Sequence, residues 1–389
     1  MLENIPIQFV LFFILYGITG VVPLLAAVYL LWRRGNVFEP EVTSPLRLRR
    51  WAASFFAVLT FVHVWWLLFY IYSGDQHSVG FLMLGMLDCV LLFTTFAGTM
   101  FAMLQDRRRH VWPVLVAVIP FVVLAGAYMV YPNSSLLKNI TAAYILLLYV
   151  SFTAYMMVAI RQYGRWLNDN YADLENKNVW LSQTVALVCM LLFVLYVLAT
   201  DMVLLWIIHI FELVLVGLLL WRVETLPDLE NGNKPTTDLG LTPAPSPKGE
   251  GSEYSQGQKQ ADEQSTPLAL WRGVGGDALE QIDRLLAANC VDTQLYLQHD
   301  LSLQQLAQAI GTNRSYLSQY FSRQGITYNT YINNLRINHF INRCKELTAA
   351  GQPIVAQQLA SESGYRSYST FSLAFKQRTG QSVTAWMHM

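Results

Sequence analysis

Hydrophobic residues follow two different patterns along the chain, and the change comes after Arg222. Before it, apolar residues form continuous runs of about 20, enough to cross about 30 Å of hydrocarbon as helices. We place these runs at residues 8–32, 52–72, 79–104, 111–131, 140–160, 181–200 and 203–221. From residue 277 onwards, apolar residues recur every three or four positions, which predicts amphipathic helices. The expected fold class is all-α, with a polytopic seven-helix transmembrane bundle followed by a second helical domain.

Composition agrees with this division and excludes several classes of protein. Of the 389 residues 54% are hydrophobic and 11 are Trp, which favours a membrane protein. The four cysteines form neither a disulfide framework nor a metal-ligand spacing. Because no nucleophile–base pair, phosphate loop or cofactor motif is present, we expect neither enzymatic activity, nor a cofactor, nor a metal. The run at 203–221 has no lysine for a Schiff base, which excludes a retinal protein.

The cationic residues between the apolar runs predict the orientation in the membrane, since Lys and Arg are retained on the cytoplasmic side. With the N-terminus outside, Lys138 is the one cation in an outer loop. The cytoplasmic loops contain Arg33, Arg34, Arg47, Arg49, Arg50, Arg107, Arg108, Arg109, Arg161, Arg165 and Lys177. Seven crossings then deliver everything after Arg222 to the cytoplasm. The expected location is the cytoplasmic (inner) membrane of a bacterial cell.

Four His, Asp and Glu side chains lie within the apolar runs, at His63, Asp88, His209 and Glu212. A charged residue in the bilayer centre costs about 2.5 to 3.5 kcal/mol on insertion scales, so each requires an explanation. All four lie roughly 7 to 10 residues from the outer end of their helices, so we expect them at one depth. Two interpretations remain open, a site that senses a ligand, proton or metal, and interhelical hydrogen bonding that holds the bundle together.

Residues 223–276 separate the two halves and are rich in Pro, Gly, Ser and charged residues, as in "LTPAPSPKGEGSEYSQGQKQADEQST". Such composition predicts a disordered cytoplasmic linker. About 50 residues of flexible chain have an r.m.s. span of roughly 35 to 45 Å, enough for a tethered domain to move well away from the membrane surface. Regulated cleavage of this linker is an alternative.

Residues 277–389 contain one helix–turn–helix spacing twice, about 54 residues apart. The first copy is formed by Leu303, Leu306, Ala307, Gly311, Leu317 and Phe321. The second is formed by Ala356, Leu359, Ala360, Gly364, Phe371 and Phe375. Each copy ends in Gly-x-Ser/Thr-x-x-x-aromatic, at 325–331 and 380–386. This duplication predicts two helices that are free to enter successive major grooves, held apart by one long helix between the copies.

The charge of this half also favours DNA. From residue 301 onwards the chain has eight Lys or Arg and two acids, Glu346 and Glu362, a local net charge of +6. Such an excess is typical of a phosphate-binding face, although any single Arg is equally compatible with an ordinary solvated surface.

The segments "LSLQQLAQAIGTNRSYLSQYF" and "LASESGYRSYSTFSLAFKQRTG" resemble the AraC/XylS-type transcription regulators over residues 277–389. The resemblance implies a seven-helix domain with two helix-turn-helix units that binds double-stranded promoter DNA. It implies base contacts from Arg314, Ser315, Ser318, Gln319, Tyr368, Ser369, Thr370 and Ser372. It further implies phosphate contacts from Arg323, Arg366 and Lys376. The chain departs from the family pattern at Val383, where a Pro is usual, and at Trp386-Met387, where Tyr-Arg is usual.

We therefore expect a membrane-bound one-component transcription regulator whose transmembrane domain is a sensor or an anchor. Its expected partners are promoter DNA, the lipid bilayer and RNA polymerase, and a homodimer is left open, as is the signal. The alternative is a membrane receptor or transporter whose C-terminal tail is a protein-interaction module without DNA binding. The basic excess and the two copies of the motif favour the regulator.

Overall fold

The computed structural model describes residues 7–33, 43–72, 79–174, 176–199, 202–229 and 277–387. Over these residues the protein is helical and contains no strand, with one isolated β-bridge between Tyr171 and Ser302, so the all-α expectation is confirmed. The chain divides into two compact units. The first comprises Met1–Arg165 and Asn176–Leu229, and the second comprises Trp166–Glu175 and Glu230–Met389.

The helices of the N-terminal region follow the apolar runs. They are α1 Ile7–Trp32, α2 Leu46–Tyr72, α3 Val79–Met103, α4 Trp112–Val130, α5 Ser135–Asn170, α6 Trp180–Ala199 and α7 Met202–Thr225. By length and composition six of them can cross a membrane, whereas the apolar part of α6 found in the described residues, Trp180–Leu192, is shorter. About six apolar helices that are long enough to cross a membrane are therefore shown, and the expected seventh crossing depends on α6. Helix α5 continues ten residues past its predicted end at 160. The prediction ended there because the last turns of the helix are polar and do not extend the apolar run.

Burial in the first unit has the distribution expected of helices in lipid. Large apolar side chains such as Leu25 and Val123 are more than 60% exposed, whereas Ala52 and Ala97 are fully buried. A Cβ atom added to Gly98 would lie 2.2 Å from the Trp51 ring. Small residues thus line some of the contacts between helices while many large apolar residues face outwards, as in membrane bundles, where close packing replaces the hydrophobic effect.

The end of α7 is fixed by polar contacts. Arg49 and Glu224 form a buried ion pair at 3.0 Å between α2 and α7. The Asp228 N–H donates to the Thr43 carbonyl at 2.9 Å, and Leu226 and Leu229 are buried. Residues 223–229, which we assigned to the start of the linker, are instead an ordered part of the first unit. The remainder of the predicted linker, 230–276, lies outside the described residues.

The second unit contains seven α-helices among its described residues, as the family resemblance implies. They are α8 Asp277–Leu286, α9 Leu303–Ala309, α10 Arg314–Arg323, α11 Tyr328–Ala349, α12 Ala356–Glu362, α13 Tyr368–Thr379 and α14 Val383–Met387. Two hydrophobic clusters form its core, and α11 contributes to both, through Ile332 to the first and Ile337 to the second. With 22 residues, α11 is about 33 Å long and holds the two clusters apart.

Candidate nucleic-acid interface

The first helix-turn-helix unit consists of α9 and α10. Ser302 and Gln305 form a capping box at the start of α9, and Gly311 makes the turn with φ +71°. The Asn313 side chain accepts a hydrogen bond from the Tyr316 N–H at 2.9 Å and so begins α10. Leu317 is fully buried, which turns the opposite face of α10 outwards.

The second unit, α12 and α13, has the same plan. Gly364 makes the turn with φ +90°, and the Ser367 hydroxyl accepts a hydrogen bond from the Thr370 N–H at 3.3 Å to cap α13. Phe371 and Phe375 are fully buried. The side chains of this face fill the second hydrophobic cluster and leave the other face of α13 exposed.

The Gly-x-Ser/Thr tails close both units in the same way. Gly325 and Gly380 follow α10 and α13 with φ of +68° and +76°. The Thr327 and Ser382 hydroxyls then accept backbone N–H groups at 3.1 Å and 3.2 Å, which begins the next helix. The aromatic residue four positions later packs on the second helix, with ring centroids 5.1 Å apart for Tyr331 and Phe321 and 5.6 Å for Trp386 and Phe375. Trp386 therefore has a packing role despite departing from the family pattern.

Helix α10 presents the predicted contact residues on one face. Arg314, Ser315, Ser318, Gln319 and Arg323 are all exposed in the structure. They lie on consecutive turns of the side opposite Leu317, so the face is continuous and polar. Such a face is suited to contact base edges and phosphates in a major groove.

On α13 the prediction and the exposed surface agree less well. Arg366 before the helix and Ser369 and Lys376 on it are exposed. Tyr368, Thr370 and Ser372 are half-buried, and the Tyr368 ring packs against Phe371 with centroids 5.7 Å apart. Our sequence analysis missed Leu373, which is 61% exposed. The 54-residue repeat contains the signal for it, because Leu373 stands at the position of Gln319.

Several of the cations counted towards the basic surface have partners within the chain, and Arg336 and Arg366 are two of them. Arg336 is fully buried, and its guanidinium donates to the carbonyls of Tyr296 and Gln298, each at 2.7 Å. Burial lowers the pKa of Arg336. Arg366 lies 2.9 Å from Asp300 in an exposed ion pair. The charge available to a phosphate backbone is therefore smaller than the sequence count.

The four polar residues of the N-terminal apolar helices come together only in part. His63 Nε2 lies 3.6 Å from Glu212 Oε2, and the His63 and His209 rings have centroids 5.5 Å apart. Both ring nitrogens of His209 and one carboxylate oxygen of Glu212 have no hydrogen-bond partner among the described residues. Asp88 instead accepts a hydrogen bond from Trp66 Nε1 at 2.5 Å. No group of three His, Cys, Asp or Glu in the described part of the chain is arranged to hold a metal ion.

Residues 306–389 match the family model described as a helix-turn-helix domain, which is of the AraC type. This match covers the greater part of both units and confirms the resemblance over that range. The domain is a DNA-binding regulatory one. No curated protein and no solved structure matches the chain.

Proposed function

We propose that this chain is a membrane-bound one-component transcription regulator that binds promoter DNA sequence-specifically through α10 and α13. The observation that carries the proposal is the duplicated helix-turn-helix geometry, in which each second helix buries one face and exposes the other. Two such helices on one rigid domain meet two successive major-groove segments, about 34 Å apart. A regulator of this kind acts on RNA polymerase at the promoters where it binds.

The apolar helices support the membrane part of the proposal. The N-terminus lies outside the cell, the helices cross the inner membrane, and the DNA-binding domain is tethered in the cytoplasm, where the chromosome is. A reporter enzyme fused after Met389 is expected to be active in its cytoplasmic form only. A periplasmic reporter signal would remove DNA from reach and overturn this arrangement.

The direct test is DNA binding by the full chain purified in detergent. We expect it to shift and footprint promoter fragments from its own genomic neighbourhood. The Gln319→Ala variant should weaken specific binding by about 1 to 3 kcal/mol, since a base contact of the first unit is lost. Gln281→Ala, an exposed glutamine on α8, is the matched control and should bind as the wild type does.

The rival protein-interaction module predicts a different result. It would give no salt-dependent retention on any DNA, at any salt concentration, whereas the regulator releases counterions and loses affinity steeply as salt rises. If the full chain fails to bind both its neighbouring promoters and a random-sequence duplex pool, the DNA-binding proposal is wrong.

For the N-terminal apolar helices we propose a sensing role centred on His63, His209 and Glu212. Its basis is that polar atoms of these side chains are buried without hydrogen-bond partners, which costs free energy that a bound proton or small ligand would offset. Glu212→Gln should change the response of a promoter reporter to the cue, whereas Asp88→Asn, outside the cluster, should not. An unchanged response in Glu212→Gln would leave the cluster with a structural role only.

A further inference from the structure

A short segment that the sequence assigns to a cytoplasmic loop forms part of the DNA-binding unit. Residues 166–174 follow the fifth apolar run, yet the structure groups them with the second unit. Tyr171 and Ser302 form an antiparallel β-bridge, and the Ala172 N–H donates to the Leu301 carbonyl at 3.3 Å. Ala172 is 2% exposed and lies in the first hydrophobic cluster. We call residues 166–174 the docking segment.

Side chains of α10 and α11 hold the docking segment from two sides. The Asn329 side-chain amide donates to the carbonyls of Tyr171 and Ala172, at 3.1 and 2.7 Å. On the other side, Arg314 Nε donates to Asn170 Oδ1 at 2.7 Å. Arg314 is the first residue of α10, and the N-terminal residues of a recognition helix are those that contact base edges.

The charge of the docking segment is complementary to this surface. The chain between Arg165 and Lys177 contains acids and no cation, including Asp169 and Asp173. Asp173 is 4% exposed, and its carboxylate acts on the buried Arg336 guanidinium. The segment thus presents carbonyl oxygens to Asn329, an amide oxygen to Arg314 and a carboxylate to the buried Arg336. The oxygen that Arg314 binds takes the place of a phosphate or base oxygen of DNA.

We propose that the docking segment is an intramolecular ligand of the first helix-turn-helix unit and competes with DNA for it. While it is bound, Asn170 holds the side chain of Arg314 at the N-terminal end of α10. This regulation rests on the proposed DNA-binding function. It provides a direct route for a signal, because the segment is covalently continuous with α5 and with the chain leading to α6. A movement of these helices pulls on the segment and changes the fraction of protein that can bind DNA.

A reversible covalent lock tests the proposal in the full chain. Opposite residues of an antiparallel bridge have Cα atoms about 4.5 to 5.5 Å apart, within the disulfide range of about 4.4 to 6.8 Å. We would therefore make Tyr171→Cys/Ser302→Cys and measure Kd in detergent for a duplex that the wild-type chain selects from a random pool. The oxidised form should bind at least about tenfold more weakly than the same protein after reduction, since the lock removes the competent fraction. Each single cysteine variant, oxidised alike, is the control.

A release variant tests the opposite direction. Asn170→Ala removes the acceptor of Arg314 and should bind the same duplex severalfold, about 3- to 10-fold, more tightly than the wild type, because more of the protein is competent. Asn289→Ala is the matched control and should bind as the wild type does, because the Asn289 side chain donates to the Leu285 carbonyl, four residues before it.

The outcomes separate the two proposals. Equal affinity of the oxidised and reduced double variant would overturn the competition, and so would weaker binding by Asn170→Ala, which would show the segment to be a structural part of the domain. If the reduced double variant, its single variants and the wild type all bind no duplex, the DNA-binding function itself is wrong.

Discussion

The two helix-turn-helix units share a backbone plan and differ on their surfaces. Both have a turn glycine with positive φ, a side-chain cap on the second helix and an aromatic residue that closes the core. They differ in the exposed face, which carries Gln319 in the first unit and Leu373 at the same position in the second. They also differ in that the docking segment contacts the first. The two copies thus share the residues that the fold requires and differ on the exposed faces that we propose to contact DNA.

The turn glycines give the largest expected difference between the units. A Cβ added to Gly364 would lie 2.8 Å from the Leu297 carbonyl oxygen, whereas nothing lies within 4 Å of one added to Gly311. Gly311→Ala therefore has only the left-handed backbone penalty, about 1 to 2 kcal/mol. Gly364→Ala adds a backbone clash, and we expect a loss of about 3 kcal/mol or more. Hydrogen exchange of α10 and α13 amides in the full chain measures both. Equal losses of stability in the two variants would mean that the backbone at Leu297 can move away from the added Cβ without a free-energy penalty.

Placing in the second unit the glutamine that the first unit has, through Leu373→Gln, should change the DNA sequence preference. The effect should be smaller than that of Gly364→Ala on stability. A glutamine can form two hydrogen bonds to adenine, whereas an exposed leucine can contact a thymine methyl group. Leu373→Gln should change the preferred base at one position of the second half-site, with discrimination of about 1 to 3 kcal/mol. Selection of duplexes by the variant and by the wild type measures this. Replacement of thymine by uracil in the duplex that the wild type prefers removes only the methyl groups. It should weaken wild-type binding, because the contact between Leu373 and the thymine methyl group is lost. An unchanged selected sequence would place Leu373 outside the interface.

The sequence was a good guide wherever one physical signal dominates. Long apolar runs predict helix positions within a few residues because they reflect the thickness of the bilayer. The polar end of α5, up to Asn170, was not predicted, because hydropathy identifies only the apolar part of a helix. Similarly, the capping box at Ser302 and the burial of Leu317 depend on local residue spacing, which the sequence contains.

Features that depend on tertiary contacts could not be predicted. Arg336 has the sequence environment of a surface cation, but carbonyls from a loop far away in sequence enclose it. His63, His209 and Glu212 meet as their depth suggested, whereas Asp88 does not join them, since depth gives no information on the rotation of a helix about its axis. The docking segment has no recognisable motif and depends on backbone groups that any sequence supplies.

Phosphate contacts should contribute similarly in both units although they come from different positions. Arg323 near the end of α10 and Lys376 on α13 are exposed and do not correspond in the repeat. Each Ala substitution should reduce the slope of log K against log salt by about 1, with little change of sequence preference. Arg284→Ala, an exposed residue of α8, is the control and should leave the slope unchanged. A slope altered by only one of the two variants would show that only one unit contacts the backbone.

The smallest expected effect is a pH dependence of stability at the contact between α11 and the end of α12. Burial lowers the pKa of His339 from its ordinary value of 6.5, and the nearby Arg343 charge lowers it further. Since the unfolded chain then binds more protons below pH 6.5, stability is fully present above that pH and is lost as the pH falls towards the folded pKa. His339 Nδ1 lies 3.3 Å from the Ser363 hydroxyl, so α11 and the second unit should loosen first. Hydrogen exchange of α12 amides at pH 7.5 and pH 5.5 measures this, and His339→Gln should remove the difference. A difference that persists in His339→Gln would assign the effect to another group.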